Sequence, residues 1–242
     1  GLTDVDLAES PVIWGKQSAE PVSMWILRQT WHYWYHLGEM QAIRQMLGHE
    51  SLPQYVGDIP QAAQWSDGFE FAQTGDVHPL IEQMQFAKQK WLIGHDDLSA
   101  EEGGKRLGNA NSIGWMVGHL AGFDQAVWLE RPLGIVLNEA VKACGYGRPA
   151  STPDSDEMLA AWHAIQEHVN NVHKQLTADD LWICPGTSSE NLGTLILRQM
   201  WHYWYHLGEM QAVRQAMGHE NLAQYVGGIP SKFRWTVPAV EG

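Results

Sequence analysis

A long internal repeat constrains the fold of this chain more than any other feature of its sequence. Residues 26–60 (ILRQTWHYWYHLGEMQAIRQMLGHESLPQYVGDIP) recur at 196–230, and 28 of the 35 aligned residues are identical. Only the second copy has a full domain's length of sequence in front of it. The sequence therefore predicts a partial repeat over 1–70, made of a last helix and its tail, and a complete domain over 71–242. Two origins stay open for the partial copy: a fragment of a longer tandem protein, or a first copy that has lost its front half.

Apolar residues at helical spacing predict four long helices in the complete domain and no strands there. Pro79 is placed to begin the first helix, Asn111 or Ser112 to cap the second, and Gly218 to close the fourth. The predicted helices span about 79–94, 112–131, 153–176 and 194–217, and the first-copy helix spans about 22–47. We therefore predict an all-α four-helix bundle preceded by an extra duplicated helix and tail.

The charge of the chain argues against polyanionic partners. Its 242 residues hold 15 Lys and Arg against 28 Asp and Glu, which gives a formal charge of −13 at pH 7. Such a surface repels nucleic-acid phosphates and anionic lipids, so we predict neither a nucleic-acid nor a membrane partner. The two cysteines, Cys144 and Cys184, do not make a disulfide scaffold, and this favours a reduced, cytoplasmic protein.

Each copy of the repeat contains a His-x-x-x-His motif, His32 and His36 in the first copy and His202 and His206 in the second. Residues four apart on a helix share one face, so both imidazoles can bind a single ion. The motif alone is weak evidence, because a chain with 12 histidines is expected to contain about one such pair by chance. Ordinary helix-face histidines are the alternative.

A third histidine stands in a suitable place on the second predicted helix. His119 shares an apolar stripe with Met116 and Phe123, where a histidine is usually a satisfied core residue. If the second and fourth helices are neighbours, however, His119 adds a third nitrogen to those of His202 and His206. Three neutral imidazoles leave at least one position on an ion open for water or substrate, which is typical of catalytic rather than structural sites.

Two segments carry a family resemblance, Asn-Ser-Ile-Gly-Trp-Met-Val-Gly-His-Leu-Ala at 111–121 and Trp-His-Tyr-Trp-Tyr-His-Leu-Gly-Glu-Met at 201–210. Together with their surroundings, over residues 76–235, they resemble the DinB/YfiT-like superfamily of metal-binding four-helix bundles. Members with known chemistry include S-transferases and isomerases that use a low-molecular-weight thiol such as mycothiol or bacillithiol. In those enzymes the metal lowers the pKa of the thiol and holds it as a nucleophilic thiolate.

By this resemblance, His119, His202 and His206 are the ligands of a divalent ion, with zinc or nickel expected. The resemblance also implies a metal-dependent thiol S-transferase or hydrolase that acts on a small molecule, with a low-molecular-weight thiol as cosubstrate. We expect the electrophile to lie among aromatic side chains near the ion: Trp115, Phe123 and Trp204.

Glu209 is the candidate catalytic residue beside these ligands. It lies one turn beyond His206 on the predicted helix, where a carboxylate can orient a ligand or serve as a base. A solvated surface carboxylate is the alternative.

The first copy departs from the metal-site pattern, because residues 1–75 hold no counterpart of His119. We expect its helix to pack against the bundle, in the manner of a domain or dimer contact, without a strong metal site at His32 and His36. This duplication also supports a function of a different class: a non-catalytic metal-binding or stress-associated interaction protein that forms a homodimer through the repeated helices.

Overall fold

Helices account for nearly all the regular structure of the described residues. The computed structural model describes residues 1, 3–56, 77–186 and 188–227. Two-residue strands, β1 (Val12–Ile13) and β2 (Lys16–Gln17), form an antiparallel hairpin ahead of the first repeated helix. The helices are α1 (Asp4–Ala8), α2 (Val22–Met46), α3 (Pro79–Ile93), α4 (Ala100–Gly104), α5 (Ile113–Gln125), α6 (Arg131–Leu133), α7 (Ser155–His173) and α8 (Leu192–Ala216). Shorter helical turns span Ala126–Glu130, Ala140–Cys144 and Asp179–Trp182. The all-α prediction is confirmed.

Local capping chemistry explains where the bundle helices begin. Pro79 occupies the first turn of α3, and the Ser112 side chain accepts a hydrogen bond from the Trp115 amide at 3.2 Å to begin α5. Asp154 caps α7 and Asn191 caps α8 in the same way. Each cap satisfies an amide that has no partner within its own helix. Helix α8 begins two residues before the predicted start, because Asn191 rather than a later residue provides the cap.

The bundle consists of α3, α5, α7 and α8 around one apolar core. Helix α5 packs against α7 and against α8, and α3 packs on α8. Fully buried side chains from these helices fill the centre, and they include Met84, Trp91, Met116, Leu120 and Ile165. The second and fourth bundle helices are therefore in contact, as a site shared between them requires.

A buried polar cluster joins all four bundle helices through one carboxylate. Asp124 of α5 accepts hydrogen bonds from Gln166 of α7, from Gln199 of α8 and from the Tyr203 hydroxyl, the last at 2.8 Å. Lys88 Nζ of α3 lies 3.3 Å from the same carboxylate. Because the buried charge has both a counter-ion and hydrogen-bond donors, its desolvation is compensated, and the cluster fixes the relative positions of the helices.

Helix α2 packs against α8, its own repeat, with two-fold pseudosymmetry. Trp31 stacks on Trp204 with ring centroids 5.2 Å apart, and Trp34 stacks on Trp201 at 5.3 Å. The repeat offset of 170 residues makes Trp201 the counterpart of Trp31, and Trp204 the counterpart of Trp34. Each stack therefore joins the counterparts of the two residues in the other stack. The contact therefore has the reciprocal form of a symmetric dimer interface, formed within one chain. The expected packing of the leading helix against the bundle is confirmed.

Glycines allow the two helices to approach closely. A Cβ on Gly38 would lie 1.8 Å from the Tyr205 carbonyl oxygen, and a Cβ on Gly208 would lie 1.9 Å from the Tyr35 carbonyl oxygen. No larger residue fits at either position unless the helices separate. The two sites are again related by the repeat.

The predicted boundary between residues 70 and 71 lies outside the described residues. Among the described helices, none combines the length and the apolarity that crossing a bilayer requires.

Candidate metal centre

Three histidines from two bundle helices converge near the middle of both helices. His119 Nε2 of α5 lies 3.0 Å from His202 Nε2 of α8, which lies 2.9 Å from His206 Nε2. Two nitrogens each bonded to one ion at about 2.1 Å, at an angle near 90°, are about 3.0 Å apart. The separations are therefore those of adjacent ligands on a single ion. Among the described residues, His119, His202 and His206 form the group of three side chains that could hold a metal ion.

Two of the imidazoles are held by hydrogen bonds at the nitrogen that faces away from the centre. His119 Nδ1 donates to the Cys144 carbonyl oxygen at 2.8 Å, and His206 Nδ1 donates to Glu209 Oε2 at 2.5 Å. In a neutral imidazole the other nitrogen, Nε2, then carries a lone pair. Both lone pairs are directed towards the same point, so the arrangement fits a divalent ion.

Burial keeps two of these histidines, His119 and His202, in the neutral form. Burial lowers the pKa of His119 to about 3, and the neighbouring His206 adds to the shift. Burial likewise holds the pKa of His202 well below its usual range, with further repulsion from His206 and His119. Neutral imidazole is the form that binds a metal, so His119 and His202 do not have to lose protons before an ion enters at neutral pH.

Aromatic rings surround the cluster, but not all those expected. Trp115 stacks on His119 with centroids 4.7 Å apart, and the edge of Phe123 packs against His202 at 5.1 Å. Trp204, in contrast, is fully buried and stacks on Trp31. The expectation that Trp204 contacts the electrophile is wrong, because the α2 contact covers this side chain.

Glu209 is 1% exposed, so the alternative of a solvated surface carboxylate does not hold. Besides His206, it hydrogen-bonds with the Tyr205 hydroxyl, and burial together with this carboxylate raises the pKa of Tyr205. Sequence reasoning identified Glu209 but missed Tyr205 and the Cys144 carbonyl. The position of Tyr205 beside His206 was the available signal for the first. No sequence signal marks a backbone carbonyl 25 residues along the chain from His119.

A cavity of about 490 Å³ opens above the cluster, which is large enough for a small organic substrate. His119, His202 and His206 line it together with Trp115 and Tyr205. The first repeat also contributes to the lining, through residues 49–56. The sequence did not indicate this contribution.

The first-repeat pair repeats half of this arrangement at the surface. His32 Nε2 lies 2.7 Å from His36 Nε2, and His36 Nδ1 lies 2.5 Å from Glu39 Oε2, as in the second repeat. The His36 side chain is 55% exposed, and among the described residues no third ligand joins the pair. The absence of a strong metal site at His32 and His36 stays a prediction.

Fold and cluster together define a helical-bundle protein with a three-histidine centre that fits a divalent metal. The sequence pattern of the DinB superfamily matches residues 83–210, more than half of the chain and including all three histidines. The chain belongs to the DinB superfamily. No curated protein and no solved structure gives a match.

Proposed function

We propose that this protein is a divalent-metal-dependent enzyme in which His119, His202 and His206 hold the ion, with zinc or nickel as the metal. The reaction is transfer of a low-molecular-weight thiol to an electrophile, or hydrolysis, of a small-molecule substrate. The observation that carries the proposal is the convergence of three imidazoles in the lining of a 490 Å³ cavity. A structural site would have four protein ligands and no open position.

The bound ion would lower the pKa of a thiol or water and so supply a nucleophile at neutral pH. The chain's own groups prepare the site. The Cys144 carbonyl and Glu209 fix the tautomers and ring orientations of His119 and His206. We assign Glu209 to positioning, because its carboxylate is engaged by His206 and Tyr205.

In thiol transfer, a sulfur–carbon bond forms to the electrophile while its bond to the leaving group breaks, and the thiol proton departs with the leaving group. In hydrolysis, water takes the place of the thiol and its oxygen forms the new bond. Both reactions require a nucleophile beside an enclosed electrophile. The cavity wall formed by Trp115 supplies an apolar surface close to His119 for that electrophile.

The alternative, a non-catalytic protein that dimerises through the repeated helices, has weaker support. The tryptophan-rich surface that α8 would offer to a second copy is already covered by α2 of the same chain. The experiments below therefore include non-catalytic metal binding as a possible result.

Metal content measured by elemental analysis on protein purified without an affinity tag tests the site. We expect about one zinc or nickel ion per chain in the wild-type protein, as for a single three-histidine centre. His119→Ala should lose the ion. His36→Ala is the matched control, since it removes the first-repeat counterpart of His206, and it should keep the ion.

Failure of metal-free protein to take up zinc or nickel, or loss of metal in His36→Ala, would refute the site. Thiol-transfer and hydrolase assays on metal-loaded protein then test the reaction. If the protein binds metal but shows no turnover that depends on His119, the result would favour the non-catalytic alternative.

A further inference from the structure

Part of the lining of the cavity belongs to the first repeat. Residues 49–56 follow α2 and face a metal centre whose three histidines all come from α5 and α8. This segment, which we call the first-repeat tail, contributes polar and apolar side chains to the cavity, including Glu50, Leu52 and Gln54.

Several contacts fix the first-repeat tail in this position. Gly48, at φ +81°, turns the chain at the end of α2, and Arg44 Nε donates to His49 Nδ1 at 3.3 Å. Gln41 Nε2 of α2 donates to the Pro53 carbonyl oxygen at 3.4 Å. The segment therefore returns along its own helix, and the helix is anchored on α8 by the tryptophan stacks.

The end of α2 is also joined to the bundle loop that lines the cavity. The Asn109 amide donates to the Gln45 carbonyl oxygen at 3.1 Å. Gly108, the preceding residue, lies so close that a Cβ there would meet the Met46 carbonyl oxygen at 2.7 Å. Because Asn109 lines the cavity as well, the wall and the loop form one continuous surface.

The chemistry of this surface favours one kind of ligand. Its charged carboxylates are Glu50 and Glu209, and no Lys or Arg is among the described residues that line the cavity. Gln41 Oε1 and Gln45 Oε1 are buried and accept no hydrogen bond from the described residues. Buried acceptors without a donor are costly, and a ligand hydroxyl or amide N–H would satisfy them.

We propose that the first-repeat tail, together with Gln41 and Gln45, is the substrate-recognition wall of the metal centre, and that it selects an uncharged thiol rich in hydroxyl or amide donors over a carboxylate-bearing one. This inference rests on the proposed function, since the ligand's sulfur must reach the ion. The duplicated segment thus serves the active site of the other repeat. The preference follows from unsatisfied acceptors on two residues that line the cavity and from carboxylates that repel an anion.

Thiol binding to cobalt-loaded protein tests this proposal without requiring turnover. Thiolate-to-cobalt charge-transfer absorption reports occupancy, with 1-thioglucose as the neutral hydroxylated probe and mercaptosuccinate as the anionic probe. We expect the wild-type protein to bind 1-thioglucose more tightly. Tighter binding of mercaptosuccinate would overturn the assigned ligand class.

Charge reversal in the tail provides a matched comparison. Glu50→Lys should shift the preference towards mercaptosuccinate by about three- to tenfold, the range for a partly screened charge interaction. Glu220→Lys makes the same change of charge in the equivalent sequence of the second repeat, away from the cavity lining. It should leave the preference unchanged. Equal effects of the two variants, or no effect of Glu50→Lys, would overturn the proposal.

Removal of one acceptor gives a second, independent comparison. Gln45→Met should weaken 1-thioglucose binding by about two- to tenfold and leave ethanethiol unaffected, because only the sugar can donate to this oxygen. Gln215→Met is the repeat-related control. A loss for both thiols, or the same loss in the control, would contradict a recognition role.

Absence of cobalt binding in wild-type protein would instead refute the metal centre itself, and the inference with it.

Discussion

Replacing Gly38 by alanine tests the close contact between the repeated helices. The new Cβ would lie 1.8 Å from the Tyr205 carbonyl oxygen, whereas ordinary contacts begin near 3.4 Å, so the helices must separate by about 1.6 Å at this point. Overpacking costs about 1–3 kcal/mol, and weakening the two tryptophan stacks costs about 0.5–1.5 kcal/mol each. Alanine recovers about 1 kcal/mol through its helix propensity. We expect a net destabilisation of about 1–5 kcal/mol.

Urea unfolding and thermal melting, followed by tryptophan fluorescence, measure this change. For a chain of this size the expected loss corresponds to a decrease in Tm of about 2–20 °C. Gly104→Ala in α4 is the control, because no heavy atom lies within 4 Å of the added Cβ. Because Gly104 is the last residue of α4, the change should not destabilise the protein and should gain at most about 1 kcal/mol from helix propensity. A Gly38→Ala protein as stable as this control would show that α2 and α8 do not cross at the described distance.

Further predictions concern the second repeat and the core. Glu209→Gln should weaken metal affinity by about 10- to 100-fold in a competitive titration, because His206 loses its charged partner, while the repeat-related Glu39→Gln should not. Asp124→Ala should destabilise the fold by about 3–5 kcal/mol in urea, since Lys88 is left as a buried unpaired charge; a smaller loss than about 1 kcal/mol would contradict this. Burial lowers the pKa of His95 to about 4, so the unfolded chain binds a proton at pH values where the folded chain does not. Stability of the metal-free protein should therefore rise from pH 4 to 6.5, with a shallower slope in His95→Gln.

The parts of the fold that depend on neighbouring residues were predictable. Pro79, Ser112 and Asp154 mark helix starts because a cap acts on amides within one turn. The histidine motif on α8 was equally visible, since residues four apart share a face. His119 can join the two histidines of α8 only if the second and fourth bundle helices are neighbours. Hydrophobic periodicity alone does not decide which helices are neighbours.

What the sequence did not reveal depends on contacts between distant segments. The Cys144 carbonyl reaches His119 because the chain after α6 returns to the bundle, and a backbone oxygen has no residue-type signal. The position of the first-repeat tail is hidden for the same reason, since residues 49–56 reach a cavity whose bundle lining begins 53 residues later, at Asn109. The repeat suggested a contact between α2 and α8 but gave no indication of which site the tail would line.

The repeated helices show how far burial is decided by the partners of a helix rather than by its own sequence. Tyr33 of α2 is 76% exposed, and its counterpart Tyr203 of α8 is 0% exposed, although the surrounding residues are nearly identical. The face of α8 that carries Tyr203 packs inside the bundle and contributes its hydroxyl to the Asp124 cluster. The histidine pairs follow the same logic. Both pairs have the same spacing and the same glutamate, but only on α8 does α5 deliver a third imidazole among the described residues. The three-histidine cluster therefore depends on the pairing of α5 with α8, and the motif by itself provides two of its three histidines.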